Sequence, residues 1–198
     1  LSFSAKKTMT LAQHLYEGVD LGDEGTQGLI TYMRTDSVRI TPDAITEVRA
    51  YIEKTYGKEF MPAEPIVYKT KKSAQDAHEA IRPTNLLYTP DMVEKFVDRD
   101  EFRLYQLIWN RFVSCQMSSA IYDQTTMELS TKAQNGSDIL LRVTGSNIKF
   151  AGFTAVYEES VDETQAKKGP VAEDTEAATT SAQELPNLAE GEVHKPTE

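Results

Sequence analysis

One cysteine, one tryptophan and three histidines are all that 198 residues offer of these side chains. A lone Cys115 cannot close an internal disulfide, and its apolar, helix-patterned neighbours make it a packed thiol, so a disulfide scaffold is excluded and redox chemistry is not suggested. No apolar run approaches the roughly 18 residues that a membrane-spanning helix needs, and no signal-peptide pattern opens the chain. No membrane partner is therefore expected, and the setting expected is cytoplasmic. The chain also opens without Met, directly in "LSFSAKKTM", and reads as an excised segment.

What is present is a globular composition, 39 % hydrophobic and 26 % charged. A net charge of −10 would argue against a nucleic-acid partner were it evenly spread. Residues 1–156, however, hold 18 basic against 20 acidic side chains, whereas residues 157–198 hold 3 against 11. The acidity belongs to the tail. The nearly neutral body keeps Lys6, Lys7, Arg34, Arg39, Lys69, Lys71, Lys72 and Arg82 for a local positive patch.

Periodicity divides the chain near residue 119. Before it, helical signals dominate. Ser4 is a plausible N-cap for a helix whose face carries Met9, Ala12 and Tyr16 with Leu15 beside them, ended by Gly18. "TPDAITEVRAYIEKTYG" places Thr41 as cap, Pro42 in the first turn and Asp43 at the positive dipole end, with Ile45, Val48 and Ile52 inward. "SAQDAHEAIRPT" predicts a short helix ending before Pro83, and "TPDMVEKFV" the start of another. "RDEFRLYQLIWNRFVSCQMS" predicts a long core helix with Phe102, Tyr105, Trp109, Phe112 and Gln116 or Met117 inward. From about residue 120 the period becomes two: Thr125, Met127, Leu129 and Thr131, an Asn135-Gly136 turn, then Ile139, Leu141 and Val143 predict a hairpin, with a third strand over 147–150. So few strands are not stable alone, so the sheet is expected to be completed elsewhere. Residues 158–184 read as an acidic linker, and "LPNLAEGEVHKPTE" as a possible edge strand. The fold class is α+β, with domains at 1–118 and 119–198.

Two stretches carry chemistry. "GLITYMRTDS" delivers Tyr32, Arg34 and Asp36 at alternating positions, on one side if the backbone is extended. A phenol of ordinary pKa about 10 is ionised in roughly one molecule per thousand at neutral pH. A neighbouring guanidinium favours the phenolate and can neutralise charge on a pentacovalent phosphorus. In "AHEAIRPT", His78 and Arg82 are four apart, suited to one helix face and to binding an anion. Each motif alone also fits packing tyrosines and surface ion pairs.

Together, in this order, "GLITYMRTDS" and "QDAHEAIRPT" resemble the active-site region of type IA DNA topoisomerases, and "LSFSAKKTM", "LYQLIWNRFVSCQM" and "YDQTTMEL" extend the resemblance over most of the chain. Met33 between Tyr32 and Arg34, with Glu79 and Arg82 in the second motif, favours the bacterial topoisomerase I branch over the topoisomerase III-like "YPRTD" and "HHAIIPT". The resemblance implies a helical CAP-like (winged-helix-like) active-site domain over 1–118 and part of a β-rich arch domain over 119–198. It implies that Tyr32 attacks single-stranded DNA to give a 5′-phosphotyrosine, that Arg34 and His78 are catalytic partners, and that Lys7, Thr31, Thr35, Asp36 and Arg82 contact DNA or support the site. No ATP is implied. Mg²⁺ is implied in the full enzyme, held by a Toprim domain absent here, with no cofactor expected in this chain. The implied partners are DNA and the Toprim and remaining core domains of the same polypeptide, and the implied location is the bacterial nucleoid in the cytoplasm. A non-catalytic single-stranded DNA-binding module of the same shape is the alternative, and a helical protein-interaction domain a third.

Overall fold

The computed structural model describes residues 1–68, 78–133, 135–157 and 191. The described residues divide into two units, residues 1–119 with 152–157 and residues 120–151.

In the first unit, α1 (Ala5–Glu17) begins where Ser4 Oγ accepts from the Lys7 N–H at 3.2 Å. It ends at Gly18, whose φ of 135° disfavours any side chain. Its buried residues are Ala12 and Leu15, which form the inner stripe, while Met9 and Tyr16, expected inside, are substantially exposed. Two-residue strands β1 (Val19–Asp20) and β2 (Thr26–Gln27) pair antiparallel and turn the chain back beneath α1, where the Leu29 N–H donates to Leu15 O at 2.7 Å. A Cβ at Gly28 would come within 2.8 Å of Tyr16 O, so this close passage requires glycine.

Helix α2 (Pro42–Thr55) follows Thr41 and buries Ala44, Val48 and Ile52, with Ile45 at the edge. "TPDMVEKFV" yields only the single turn α3 (Pro90–Val93) and a 3₁₀ turn at Glu94–Phe96. The long helix α4 (Arg99–Ser114) has its own start signal: Asp98 Oδ1 accepts from the Asp100 and Glu101 N–H groups, and Glu101 Oε2 accepts from the Asp98 N–H. Its inner face is Leu104, Tyr105, Trp109, Phe112 and Val113. The Tyr51 ring of α2 meets Trp109 edge-on at 5.2 Å. Beyond α4, the fully buried Gln116 is satisfied by one peptide unit's worth of partners: its Nε2 donates to Ile66 O at 2.8 Å and its Oε1 accepts from the Ile66 N–H at 3.1 Å. Burial pushes the Cys115 thiol up to about 11, consistent with a packed residue.

The second unit is one hairpin of β3 (Ile121–Lys132) and β4 (Asp138–Phe150). Gly136, at φ 85°, lies in the connection. Residues 147–150, expected as a third strand, are instead the end of β4, because pairing runs unbroken through Thr126 with Thr144 and Thr125 with Gly145. The register places Met127 opposite Val143, Leu129 opposite Leu141 and Thr131 opposite Ile139, which concentrates apolar side chains on one face. The expected linker at 158–184 and edge strand at 185–198 lie outside the described residues, Gly191 excepted, as do Lys69, Lys71, Lys72 and the first part of the helix expected over 73–82.

Candidate active site

In the described part of the second motif, residues 78–84, the backbone is not helical. Pro83 has no N–H and disfavours a helical Arg82, so these peptide groups must find partners elsewhere. They find them in the first motif. The Thr31 N–H donates to Arg82 O at 2.9 Å, the Thr84 N–H to Leu29 O at 3.0 Å and the Ala80 N–H to Arg39 O at 2.8 Å, around an Ile30–Pro83 bridge. His78 and Arg82 therefore share no helix face. The two motifs are instead stitched together as adjacent extended segments, and the Thr31 hydroxyl adds a staple, donating to Ala80 O at 2.7 Å and accepting from the Arg82 N–H at 3.0 Å.

Past this pairing the first motif is a loop. The Arg34 N–H donates back to Tyr32 O at 2.9 Å, a tight turn that buries Met33 and leaves Tyr32 and Arg34 outside. Tyr32 is 50 % exposed, and among the described residues its hydroxyl has no hydrogen-bond partner. The Arg34 guanidinium carbon lies 5.4 Å from the centre of the Tyr32 ring, and the Tyr16 ring meets it edge-on at 5.1 Å. A free phenol with a cation beside it is thus held in place from the helix side.

Asp36 Oδ2 accepts from His78 Nδ1 at 2.9 Å. That hydrogen bond holds the Asp36 carboxyl below its ordinary range, against some desolvation, with the nearby charges of His78 and Arg34 adding to it. The backbone of His78 is fixed as well: the buried Ser37 hydroxyl donates to His78 O at 2.7 Å and accepts from the Arg39 N–H at 3.2 Å. With Nδ1 occupied by the carboxylate, Nε2 is the nitrogen left for a ligand.

The remaining candidates are placed differently. Arg82 Nε donates to Glu79 Oε1 at 2.7 Å and its Nη1 to Pro83 O at 2.8 Å, so its guanidinium is engaged within the fold. Glu79 also accepts from the Thr41 hydroxyl. Burial pushes the Glu79 carboxyl up, but Arg82 and the Thr41 donors outweigh it and leave the carboxyl below its usual value. Lys7 pairs with Asp100 at the start of α4 and lies over the Phe3 ring at 4.5 Å. Thr35 faces a cavity beside α1 and α4. Tyr16 and Ser37 escaped the sequence reading: one was placed on the inner face of α1 and the other was not singled out, and only the fold brings them to Tyr32 and His78.

A family model described as DNA topoisomerase matches residues 1–198. The chain belongs to the DNA topoisomerase family. It is 52 % identical over 164 residues to DNA topoisomerase 1 of Rickettsia conorii, covering 82 % of this chain and 21 % of that protein. It is 48 % identical over 168 residues to DNA topoisomerase 1 of Xylella fastidiosa, covering 84 % and 20 %. Full-length topoisomerase I from Thermotoga maritima has a similar structure, with a TM-score of 0.65 at 36 % identity over 81 % of this chain and 25 % of that one. The chain thus spans about a fifth of the length of the relatives it matches, and its mixture of helices and small antiparallel sheets is that of a topoisomerase I segment. Among the described residues no group of three or more His, Cys, Asp or Glu side chains could hold a metal ion, and the Asp36 carboxylate near Tyr32 is taken up by His78. No helix among the described residues is long and apolar enough to cross a membrane.

Proposed function

We propose that this chain is the tyrosine-bearing part of a type IA DNA topoisomerase, which cuts and rejoins one strand of DNA to relax negative supercoils without ATP. The observation that carries the reading is the exposed Tyr32 phenol, without a hydrogen-bond partner among the described residues, beside Arg34 on a loop stitched to the His78 segment. The Tyr32 oxygen attacks a backbone phosphorus of single-stranded DNA. A Tyr–O–P bond forms as the P–O3′ bond breaks, the phenolic proton is given up, and the departing 3′-oxygen takes up a proton. One phosphodiester replaces another, so the step is nearly isoenergetic and reverses by attack of the 3′-hydroxyl. Arg34 leaves the Tyr32 ring for the equatorial phosphate oxygens, where its planar fork stabilises the transition state. His78, aimed by the Asp36 contact at Nδ1, presents Nε2 to a neighbouring phosphate. Thr31 and Arg82 support the site, and Lys7 and Thr35 remain candidate backbone contacts.

In this reading residues 1–118 are the CAP-like domain and 119–198 part of the β-rich arch, and Mg²⁺ and its Toprim domain come from parts of the relatives that this chain does not cover. The isolated chain then has little or no relaxation activity.

A single-stranded oligonucleotide labelled at its 3′ end tests the reading, incubated with the chain, with and without a Toprim-containing topoisomerase fragment and Mg²⁺. A denaturation-resistant labelled adduct that requires the fragment and vanishes in Tyr32→Phe is expected. Binding without any adduct would favour the non-catalytic module instead, and efficient relaxation of plasmid by the chain alone would refute the division of labour.

A further inference from the structure

Behind the Tyr32 loop lies a cavity of about 420 Å³, within the size range of small-molecule sites. Its walls include Met9 and Ala12 of α1, Leu104 of α4, and Met33 and Thr35, the residues that flank Arg34. The lining is mostly apolar, and one cation stands at it, Arg111. That guanidinium lies 5.0 Å from the centre of the Tyr157 ring, and among the described residues it has no carboxylate partner. The Thr35 hydroxyl, also on the lining, makes no hydrogen bond among them either.

The geometry points to a binding site for a small amphipathic anion: an aromatic or branched aliphatic body with one carboxylate or sulfonate. The body displaces water from the methionine, alanine and leucine surface, and the acid group takes the two polar valences left open among the described residues, the Arg111 fork and the Thr35 hydroxyl. A neutral apolar molecule would leave Arg111 without a counter-charge. A dianion such as a phosphate ester would bring more charge than one guanidinium matches into an apolar wall. Because Met33 is the buried pivot between Tyr32 and Arg34, an occupant bears directly on the turn that sets their positions. Binding itself does not depend on the topoisomerase reading, and only its effect on strand cleavage rests on it.

The test uses the 198-residue chain without DNA. Anilinonaphthalene sulfonate is the anionic probe and phenylnaphthylamine its neutral counterpart, followed by probe fluorescence and by the resonances of methyl-labelled methionine. One saturable site per chain is expected, with shifts at Met9 and Met33 and none at Met127 on the hairpin. Arg111→Gln should weaken the sulfonate about tenfold, as for loss of a partly exposed charge-assisted contact, and change the neutral probe by less than about twofold. Ala12→Leu should weaken both by narrowing the cavity. If Trp109 emission shows that this variant does not fold, Leu107→Trp at the rim serves instead. Absence of saturable binding, or shifts confined to Met127, would overturn the site. Equal response of both probes to Arg111→Gln would overturn the anionic class.

Discussion

Replacing Thr31 by valine keeps the shape of the side chain and removes only the hydroxyl that staples the two motifs. Ala80 O then loses its donor at 2.7 Å and the Arg82 N–H its acceptor at 3.0 Å. An unsatisfied buried backbone group costs about 1–3 kcal/mol. Thr31 is half-buried, so water reaches one side of the pair and the lower part of that range applies to each group. The expected loss is about 2–3 kcal/mol in total, a sizeable share of the roughly 5–15 kcal/mol that holds a domain together. The Thr31 and Thr84 N–H bonds across the pairing survive, so the fold persists with a lower midpoint. For a unit of this size that is a fall in melting temperature of roughly 6–12 °C. Trp109, the sole tryptophan and 4 % exposed in α4, reports this unit alone, so urea unfolding followed by its emission measures the change. Thr31→Ser retains the hydroxyl and should lose less than about 1 kcal/mol. A valine variant within about 0.5 kcal/mol of the parent, or a serine variant as damaged as valine, would refute the staple.

Two titrations test the electrostatics. The Asp36 carboxyl should titrate below 3.8 in the folded chain, and return toward that value in His78→Ala, when followed by carboxyl-carbon NMR. A folded value below the unfolded one means that the pair's contribution is present above the ordinary carboxylate value and is lost as pH falls through the depressed one, so the pair persists at neutral pH. A midpoint at or above 3.8 would contradict the geometry. With its thiol pushed up to about 11, Cys115 at pH 8 is about one part in a thousand thiolate and should react with a disulfide reagent only slowly until urea exposes it. Prompt reaction in the folded chain would mean that Cys115 is not packed as described.

The elements that local rules specify were legible. Ser4 and the spacing of Trp109 and Phe112 mark a helix start and a helix face by short-range chemistry, and the alternation of Met127, Leu129, Ile139 and Leu141 marks the hairpin. The segment around His78 was not legible in the same way. "AHEAIRP" has helical composition, and what overrides it is a long-range partner: Leu29, Thr31 and Arg39 take the backbone bonds that Pro83 denies to a helix. Met9 and Tyr16 failed for a related reason, since which side of α1 is buried depends on α4, a long-range partner. In the candidate site, Tyr32, Arg34, Asp36 and His78 stood out by residue type and spacing, but each motif alone also fitted packing and surface ion pairs, and it was the resemblance carried by the two motifs together that named them. Ser37 and Tyr16 are ordinary residues made important only by where the chain returns.

The hairpin carries the last expectation. Two strands alone are marginally stable in water, because a ribbon buries apolar surface on neither face unless something packs against it. Here Leu129 and Leu141, directly opposite each other, are 40 % and 55 % exposed, so the apolar face contributes little of the burial that normally holds strands together. The helical unit, by contrast, has Leu15, Leu29, Val48, Ile52 and Tyr105 at or below 1 % exposure. Stability should therefore be uneven along the chain, and unfolding should not be two-state. Native-state hydrogen exchange checks this: amides of β3 and β4 should exchange with opening free energies near zero, while those in the middle of α4 approach the global value. Substituting Leu129 by threonine should then leave the Trp109 transition unmoved, since the lost contact belongs to a unit already open. Equal protection of β4 and α4 in the isolated chain would show that the ribbon is held by contacts beyond its own ladder.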